Sequence, residues 1–467
     1  MLFTEHFFLL YFFPLFLLFF LPFRNTLKLS HIIIIIFSLI FYISFGISNL
    51  IILLIPLLIN YSLGILVFKV KKKRYKKAIL FLGVFFDLLI LLYYKYFNFA
   101  FDTLLPYIPL RFSDNIRALS TTIFPVGISF IVFQRISYLV DIYRKVTKPA
   151  NNLLHYSTYA TVFPHLISGP IVRFVDIKKE LGKRKYKAIY LFDGFKFFIV
   201  GLALKVIIAD GLFTVEEMLK NSIHINNTYE SMILISYFSL RLYLDFTGYS
   251  LIAMGLAKLI GFSFPYNFNS PYQATSFQDF WNRWNITLSK WLRDYLYIPL
   301  GGNRKGNLRT YMNLILTMLL GGLWHGASWN FVIWGGLHGI YLALERHFIT
   351  NRISLKIPIF FKKILIFIVV SLTWLMFIFT KPQDAITVFM SLISLNFSPF
   401  QSSVSHAFLL SLPALITGLL WAFYFTEKDI EKISLNWKNS LLLVIAFFVL
   451  LEITFTKQAV PFIYFQF

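Results

Sequence analysis

The chain has 467 residues, 58% of them hydrophobic and only 14% charged, with 56 phenylalanines and no cysteine. A soluble surface needs roughly a quarter to a third of its residues charged, so an ordinary cytosolic enzyme and a disordered chain are excluded. The missing thiols exclude a disulfide scaffold, an iron–sulfur cluster and a thiolate zinc site. The apolar runs are continuous rather than alternating, which argues against a membrane barrel. What remains is an all-α polytopic membrane protein, because only helices or closed barrels satisfy their backbone in lipid. The net charge of +23 falls in clusters between apolar runs. That is how loops on the cytoplasmic face look, and the excess is read as topology rather than as a nucleic-acid surface.

The first apolar run, residues 7–23, follows Glu5 and precedes Arg24 and Lys28. This reads as a signal anchor with its N-terminus outside and no removable leader. Runs at 32–46 and 50–68 end at the basic block 69–77. Residues 79–97 then cross outward, and 123–140 return to Arg144, Lys145 and Lys148. Another basic block spans 178–187, and only one apolar stretch, 153–172, lies between these two inside blocks. It contains Pro164, His165, Gly169 and Pro170. A full crossing would strand one basic block outside, so a re-entrant or buried broken helix is predicted there, tolerated only inside protein.

Residues 190–213 go out and 231–262 return; 271–305 are polar, basic and Trp-rich, placing them at the cytoplasmic face. Residues 312–344 allow two short crossings or a re-entrant hairpin, and 364–379, 408–425 and 441–453 complete the series. The sum is eleven or twelve crossings, with the tail 456–467 outside. The absence of an internal repeat weighs against a transporter of polysaccharides or lipid intermediates, the competing reading without acyl-transfer chemistry.

Three segments could carry chemistry. In 277–296, Phe277, Phe280, Trp281, Trp284, Leu288, Trp291, Leu292 and Tyr295 recur at helical spacing and fall within about 60° of one direction. This predicts an amphipathic helix whose Trp residues anchor at headgroup level, with Asn285 on the border of the stripe. Gly301-Gly302-Asn303-Arg304-Lys305 reads as a turn or as a weak phosphate-holding loop. His325, within Trp324-His325-Gly326, lies deep in its apolar run and is a functional candidate by position. His338 and His165 are secondary candidates. The histidines lack H-E-x-x-H spacing and an acidic ligand set, so no metal is expected. Asp245 lies one helical turn after Arg241, which suggests an intramembrane ion pair between them.

Segments 124–144, 163–174, 280–304 and 320–339 together resemble the membrane-bound O-acyltransferases, in their bacterial alginate O-acetyltransferase (AlgI-like) branch. The resemblance implies a single transmembrane domain over 1–467, with a core of about 121–349: a ring of tilted helices around a central funnel. It implies that His325 is the catalytic histidine. Asn285, 40 residues earlier, falls at the second polar site position, where bacterial relatives often carry His. An amide can orient a group there but cannot act as a base. The implied donor is cytoplasmic acetyl-CoA, with Arg304 and Lys305 as candidate phosphate contacts. A D-alanyl carrier protein is the other donor considered. The implied partner is an SGNH-type extracytoplasmic transferase that passes the acyl group to a polysaccharide, and the implied location is the bacterial inner membrane. The tail 461–467 is read either as an aromatic anchor or as a segment folding back into the outer funnel. It resembles an aromatic motif of this family in which a tyrosine, here Tyr464, relays the acyl group.

The basic flanks of 153–172 make one outcome directly measurable. Single cysteines at Asn151 and Lys183 are expected to label from the same face of the membrane; labelling from opposite faces rejects the re-entrant reading.

Overall fold

The computed structural model describes residues 1–107, 117, 125–221, 227–351, 357–398, 402–456 and 460–463. Helices dominate and no strand occurs among the described residues. Six helices there are long and apolar enough to cross a membrane. They are α3 (Ser48–Lys69), α4 (Lys73–Tyr107), α8 (Ile189–Asn221), α14 (Ile359–Ile378), α15 (Ser402–Tyr424) and α16 (Trp437–Thr456). Shorter apolar helices, α1 (Phe8–Phe23) and α2 (Leu27–Ile43), precede them. The chain is an all-α, multi-pass membrane protein. Other expected crossings form helices covered by protein: α5 (Ile128–Tyr143) and much of α9 (Thr228–Leu259) are buried nearly all round.

Two compact units emerge, Met1–Gly194 with Leu256–Pro265, and Phe195–Gly255 with Tyr266–Phe467. In the first, Phe12, Phe16 and Phe41 surround Phe163, with ring centroids 5.3–5.6 Å apart, in Phe16–Phe163, and in Phe12–Phe163 and Phe41–Phe163. Tilted and edge-on rings gain more than their buried area alone. A polar chain ties α3, α4, α5 and α6 (Leu153–Thr161) together. Asp87 pairs with Arg135 at 2.8 Å and accepts from Asn60 Nδ2 at 3.2 Å, while Tyr156 donates to Asn60 Oδ1 at 2.6 Å. Breaking one member would strand a buried charge.

The stretch 153–172 is broken as expected. Helix α6 has nine residues, about 14 Å, against a hydrocarbon core of about 30 Å. A single 3₁₀ turn follows at Phe163–His165, then irregular backbone up to α7 (Phe174–Gly182). Residues 158–172 are all buried, which is where non-helical backbone can survive at membrane depth. The Phe163 N–H, for example, donates to Ser38 Oγ at 3.0 Å.

In the second unit, the expected span 312–344 is a helical hairpin: α12 (Asn307–His325) and α13 (Trp329–Thr350), joined by a three-residue turn. Small residues let the two backbones touch. A Cβ on Gly322 would lie 2.1 Å from the Phe331 carbonyl oxygen, and one on Gly335 would lie 2.3 Å from that of Met318. The expected Asp245–Arg241 pair is replaced by two pairs made to α8. Arg241 Nη2 donates to Glu216 at 2.7 Å, and Asp245 lies 2.7 Å from Lys205 Nζ. Pairs made to a neighbouring helix tie two helices together, which an i, i+4 pair along one helix cannot do.

This packing yields a stability prediction. Gly322→Ala and Gly335→Ala each force the hairpin apart and are expected to lower stability by about 1–3 kcal/mol or more. Gly336→Ala meets only Leu319 Cδ2 at 3.5 Å and should be tolerated. Thermal unfolding in detergent reads the difference, and equal midpoints for all three variants contradict it.

Candidate active site

The helix expected over 277–296 is interrupted. Two short helices, α10 (Phe277–Arg283) and α11 (Ile286–Leu292), meet at Asn285, whose φ of 40° and ψ of 56° are left-handed. Asparagine is among the few residues with a side chain that enter this region readily. The bend is held from outside. Ile286 N–H donates to the Asn267 carbonyl at 2.9 Å, and Thr287 Oγ1 donates to Asn267 Oδ1 at 2.9 Å. Asn269 N–H donates to the Arg283 carbonyl at 3.0 Å. Asn267 is itself fixed by Glu427, whose Oε2 accepts its N–H at 3.1 Å.

The N-terminus of α10 is fastened to α13. Glu345 Oε2 accepts the N–H of Phe277 at 2.7 Å and of Gln278 at 3.2 Å, supplying orphan helix donors with a carboxylate. The Trp residues expected at headgroup level are instead packed inside protein: Trp284 is 1% exposed, and Trp281 and Trp291 are each 7% exposed. Hydrophobic spacing alone does not distinguish a protein core from a lipid interface.

His325 ends α12 at the hairpin turn and is 5% exposed. Trp334, Phe377 and Trp324 wall it in, with ring centroids at 5.1, 5.4 and 5.0 Å. Gly326 follows because a Cβ there would sit 2.1 Å from the Phe331 ring. An aromatic series connects this wall to the bend. Trp334 stacks on Trp374 at 5.6 Å, and Trp374 contacts Trp284, the neighbour of Asn285, at 4.9 Å. The Asn285 side chain is buried at 1% exposure, and neither its oxygen nor its nitrogen has a hydrogen-bond partner among the described residues. The Trp334 Nε1–H is likewise buried without one. An unsatisfied buried amide costs about 1–3 kcal/mol, so such groups call for an explanation, and a ligand is one.

The other two candidate histidines, His338 and His165, are held by hydrogen bonds. Trp281 Nε1–H can only donate, so His338 Nδ1 accepts from it at 3.3 Å. His338 Nε2 then donates to Thr373 Oγ1 at 3.0 Å, which passes its own proton to the Val370 carbonyl at 2.7 Å. Both ring nitrogens are thus committed. His165 lies in the first unit, where Nε2–H donates to the Tyr159 carbonyl at 2.9 Å and the ring stacks on Phe264 at 5.3 Å. No group of three metal-ligating side chains is present among the described residues.

Beside α10 and α11 lies a cavity of about 350 Å³ whose lining includes Asn282, Lys290, Arg293, Thr317, Glu345 and Arg346. Three cations against one carboxylate suit an anionic ligand. Arg304 and Lys305 are exposed on the turn before α12 and do not line this cavity. The glycines of that turn have φ of 116° and 56°, and Gly302 accepts from Asn313 Nδ2 at 2.9 Å, so the pair shapes a turn. Sequence reading missed Arg346 as a cavity residue, and Glu345, Asn267 and Glu427 as supports. Their partners are 67, 20 and 160 residues away, and local spacing carries no trace of them. Tyr464 lies outside the described residues.

Glu427 sits outside the spans, and burial pushes its carboxyl up to about 8 from 4.5. Its pKa is higher folded than unfolded, so its stabilising contribution is complete below pH 4.5 and is lost as pH rises through about 8. Relative to Glu427→Gln, the natural protein is expected to lose thermal stability progressively from pH 5 to pH 8. Parallel pH profiles would contradict a neutral Glu427.

The sequence profile of the membrane-bound O-acyltransferase family matches residues 37–392. The chain is 45% identical over 265 residues to a probable alginate O-acetylase AlgI of Azotobacter vinelandii, covering 57% of this chain and 53% of that protein. It is 33% identical over 368 residues to the peptidoglycan O-acetyltransferase of Helicobacter pylori, covering 72% and 68%. It is 28% identical over 236 residues to the teichoic acid D-alanyltransferase of Bacillus subtilis, covering 48% and 59%. The chain thus spans about half the length of the alginate O-acetylases it matches.

Proposed function

The chain belongs to the membrane-bound O-acyltransferase family, in its AlgI-like branch, and on that premise we propose that it transfers an acetyl group from a cytoplasmic thioester to a hydroxyl on the outer side of a bacterial inner membrane. The final acceptor in this reading is a polysaccharide, either an exopolysaccharide of the alginate kind or peptidoglycan. An SGNH-type extracytoplasmic transferase is the proposed partner for the last step. The observation that carries the reading is a buried histidine at a hairpin turn, linked through a series of aromatic contacts to the bend at a buried asparagine whose amide has no hydrogen-bond partner among the described residues.

His325 takes the proton of the attacking hydroxyl as general base. The oxygen bonds to the acyl carbon, and the tetrahedral oxyanion collapses to expel the thiolate, which receives the proton. Asn285 Nδ2 and Trp334 Nε1 are donors available to the oxyanion, in a water-poor site where such bonds are strongest. Acetyl-CoA is the donor we favour, because Lys290, Arg293 and Arg346 give the adjacent cavity the charge to hold its phosphates. Arg304 and Lys305, exposed on the turn before α12, are proposed to meet the donor on its approach to that cavity. Tyr464 is proposed to carry the acetyl group onward as an ester, with His325 activating its phenol.

Two measurements test this. With labelled acetyl-CoA and a hydroxyl acceptor, His325→Ala is expected to abolish transfer in a folded protein. Asn285→Ala should lower it by about 10²–10³-fold, the size of one lost oxyanion donor; full activity of His325→Ala overturns the reading. Arg293→Gln with Arg346→Gln is expected to raise KM for acetyl-CoA while leaving kcat nearly unchanged. Unchanged KM, together with transfer from an acylated carrier protein, would move the donor to the carrier class.

A further inference from the structure

Within the second unit, α9, α14 and α15 wall a second cavity of about 310 Å³. Phe408, Leu415, Leu419 and Phe423 line it from α15. They fall at i, i+7, i+11 and i+15, so they form one stripe, which runs about 22 Å along the helix. Ser236, Tyr237 and Leu240 of α9 and Phe367 of α14 face that stripe. The void is not slack packing of α15. Ala414 and Gly418, one turn apart on the neighbouring face, press the helix onto α8 and α9. A Cβ on Gly418 would lie 2.9 Å from Leu244 Cδ1, and one on Gly211 would lie 2.8 Å from Ala414 Cβ.

The lining is a poor host for water. None of its residues is charged. Ser411 Oγ gives its proton to the Phe408 carbonyl at 2.8 Å, so the Tyr237 hydroxyl donates to Ser411 Oγ, also at 2.8 Å. The Tyr272 hydroxyl donates to the Ser239 carbonyl at 2.5 Å. With both phenols committed, a water in the cavity would lack the two to four polar partners it needs. Left empty, the cavity would forfeit dispersion contacts along every wall.

The mouth of the cavity opens onto lipid. Met232 and Leu419, which line it, are both exposed. The adjoining outward stripe of α15, with Leu409, Leu410, Ile416 and Leu420, is exposed as well, and α14 and α15 are both apolar and long enough to cross the membrane. Drawn out along the stripe, the volume is narrower than the roughly 10–12 Å of a helix with its side chains. It is too slender for a partner helix and suits one hydrocarbon chain. We propose that this cavity is a binding site for one acyl chain of a membrane phospholipid. Tyr272 closes it towards the protein interior. The Tyr272 ring lies 5.0 Å from Phe367 and 6.3 Å from Trp284, the neighbour of Asn285. The bound chain and the bend at Asn285 therefore share one aromatic layer. The site itself is independent of the proposed reaction.

The test uses the full chain in vesicles of phosphatidylethanolamine and phosphatidylglycerol, with a phosphatidylethanolamine probe carrying a diazirine midway along one acyl chain. The protein is transferred to detergent, which strips loosely held lipid, and is then irradiated. Mass spectrometry is expected to find adducts on Phe367, Leu415 and Phe423, and few on the outward stripe of Leu409, Leu410, Ile416 and Leu420. Leu415→Trp fills the cavity and should reduce its labelling to the level of the outward stripe. Leu419→Trp blocks the mouth from an exposed position and should do the same, so the test survives a Leu415→Trp chain that does not fold. Adducts spread evenly over both stripes, or cavity labelling unchanged by Leu419→Trp, would overturn the site. Labelling as expected in a chain that transfers no acetyl group would fall on the proposed reaction and leave the lipid site standing.

Discussion

Direct contact between the backbones of α12 and α13 is the constraint on which the site depends. With glycine at 322 and 335, main-chain atoms of one helix occupy the volume a Cβ would fill on the other. Such a pair is tolerant neither of sliding nor of rotation, because either would drive a carbonyl into a neighbouring Cα. The turn of the hairpin is therefore a fixed point, and His325 stands on it. Glu345 carries the same rigidity to α10 by capping its first two N–H groups, and the Trp281–His338–Thr373 chain repeats the tie one level deeper.

Against this frame, the left-handed Asn285 is a local conflict that the surroundings enforce. Asn267, Thr287 and Glu427 hold the bend, and the cost left over is a buried amide without a hydrogen-bond partner among the described residues. Proteins tolerate such conflicts where the strained group has work to do. The aromatic wall of Trp334, Trp374 and Phe377 supplies the complementary condition. It excludes water around His325, so that few polar groups control a proton and an oxyanion.

Much of this was legible from residue order. The apolar runs and their basic borders gave the membrane class, the prolines and glycines of 163–170 gave a break, and Trp324-His325-Gly326 marked the histidine. Asn285 stood out as a polar residue on the edge of an apolar stripe, yet the bend at it did not. Apolar spacing continues through the break, and the only local sign of a left-handed residue is that it is asparagine. The same periodicity suggested headgroup anchors where the structure has a protein core, since lipid and protein interiors select the same side chains. His338 and Asp245 show the limit most clearly. Whether a buried polar group is a reactive site or a structural tie depends on partners 57 or 40 residues away, Trp281 for the one and Lys205 for the other, and spacing on one helix cannot supply them.

The central claim is that an acyl group passes from one face of the membrane to the other at His325 without the donor crossing. The most direct measurement uses vesicles reconstituted in one orientation, with acetyl-labelled acetyl-CoA confined to the face bearing the basic loops and an impermeant hydroxyl acceptor on the opposite face. The account predicts label on the acceptor, unlabelled CoA retained on the donor face, and neither event with His325→Ala. Acetylation that requires donor and acceptor on the same face, or that continues without His325, would contradict it.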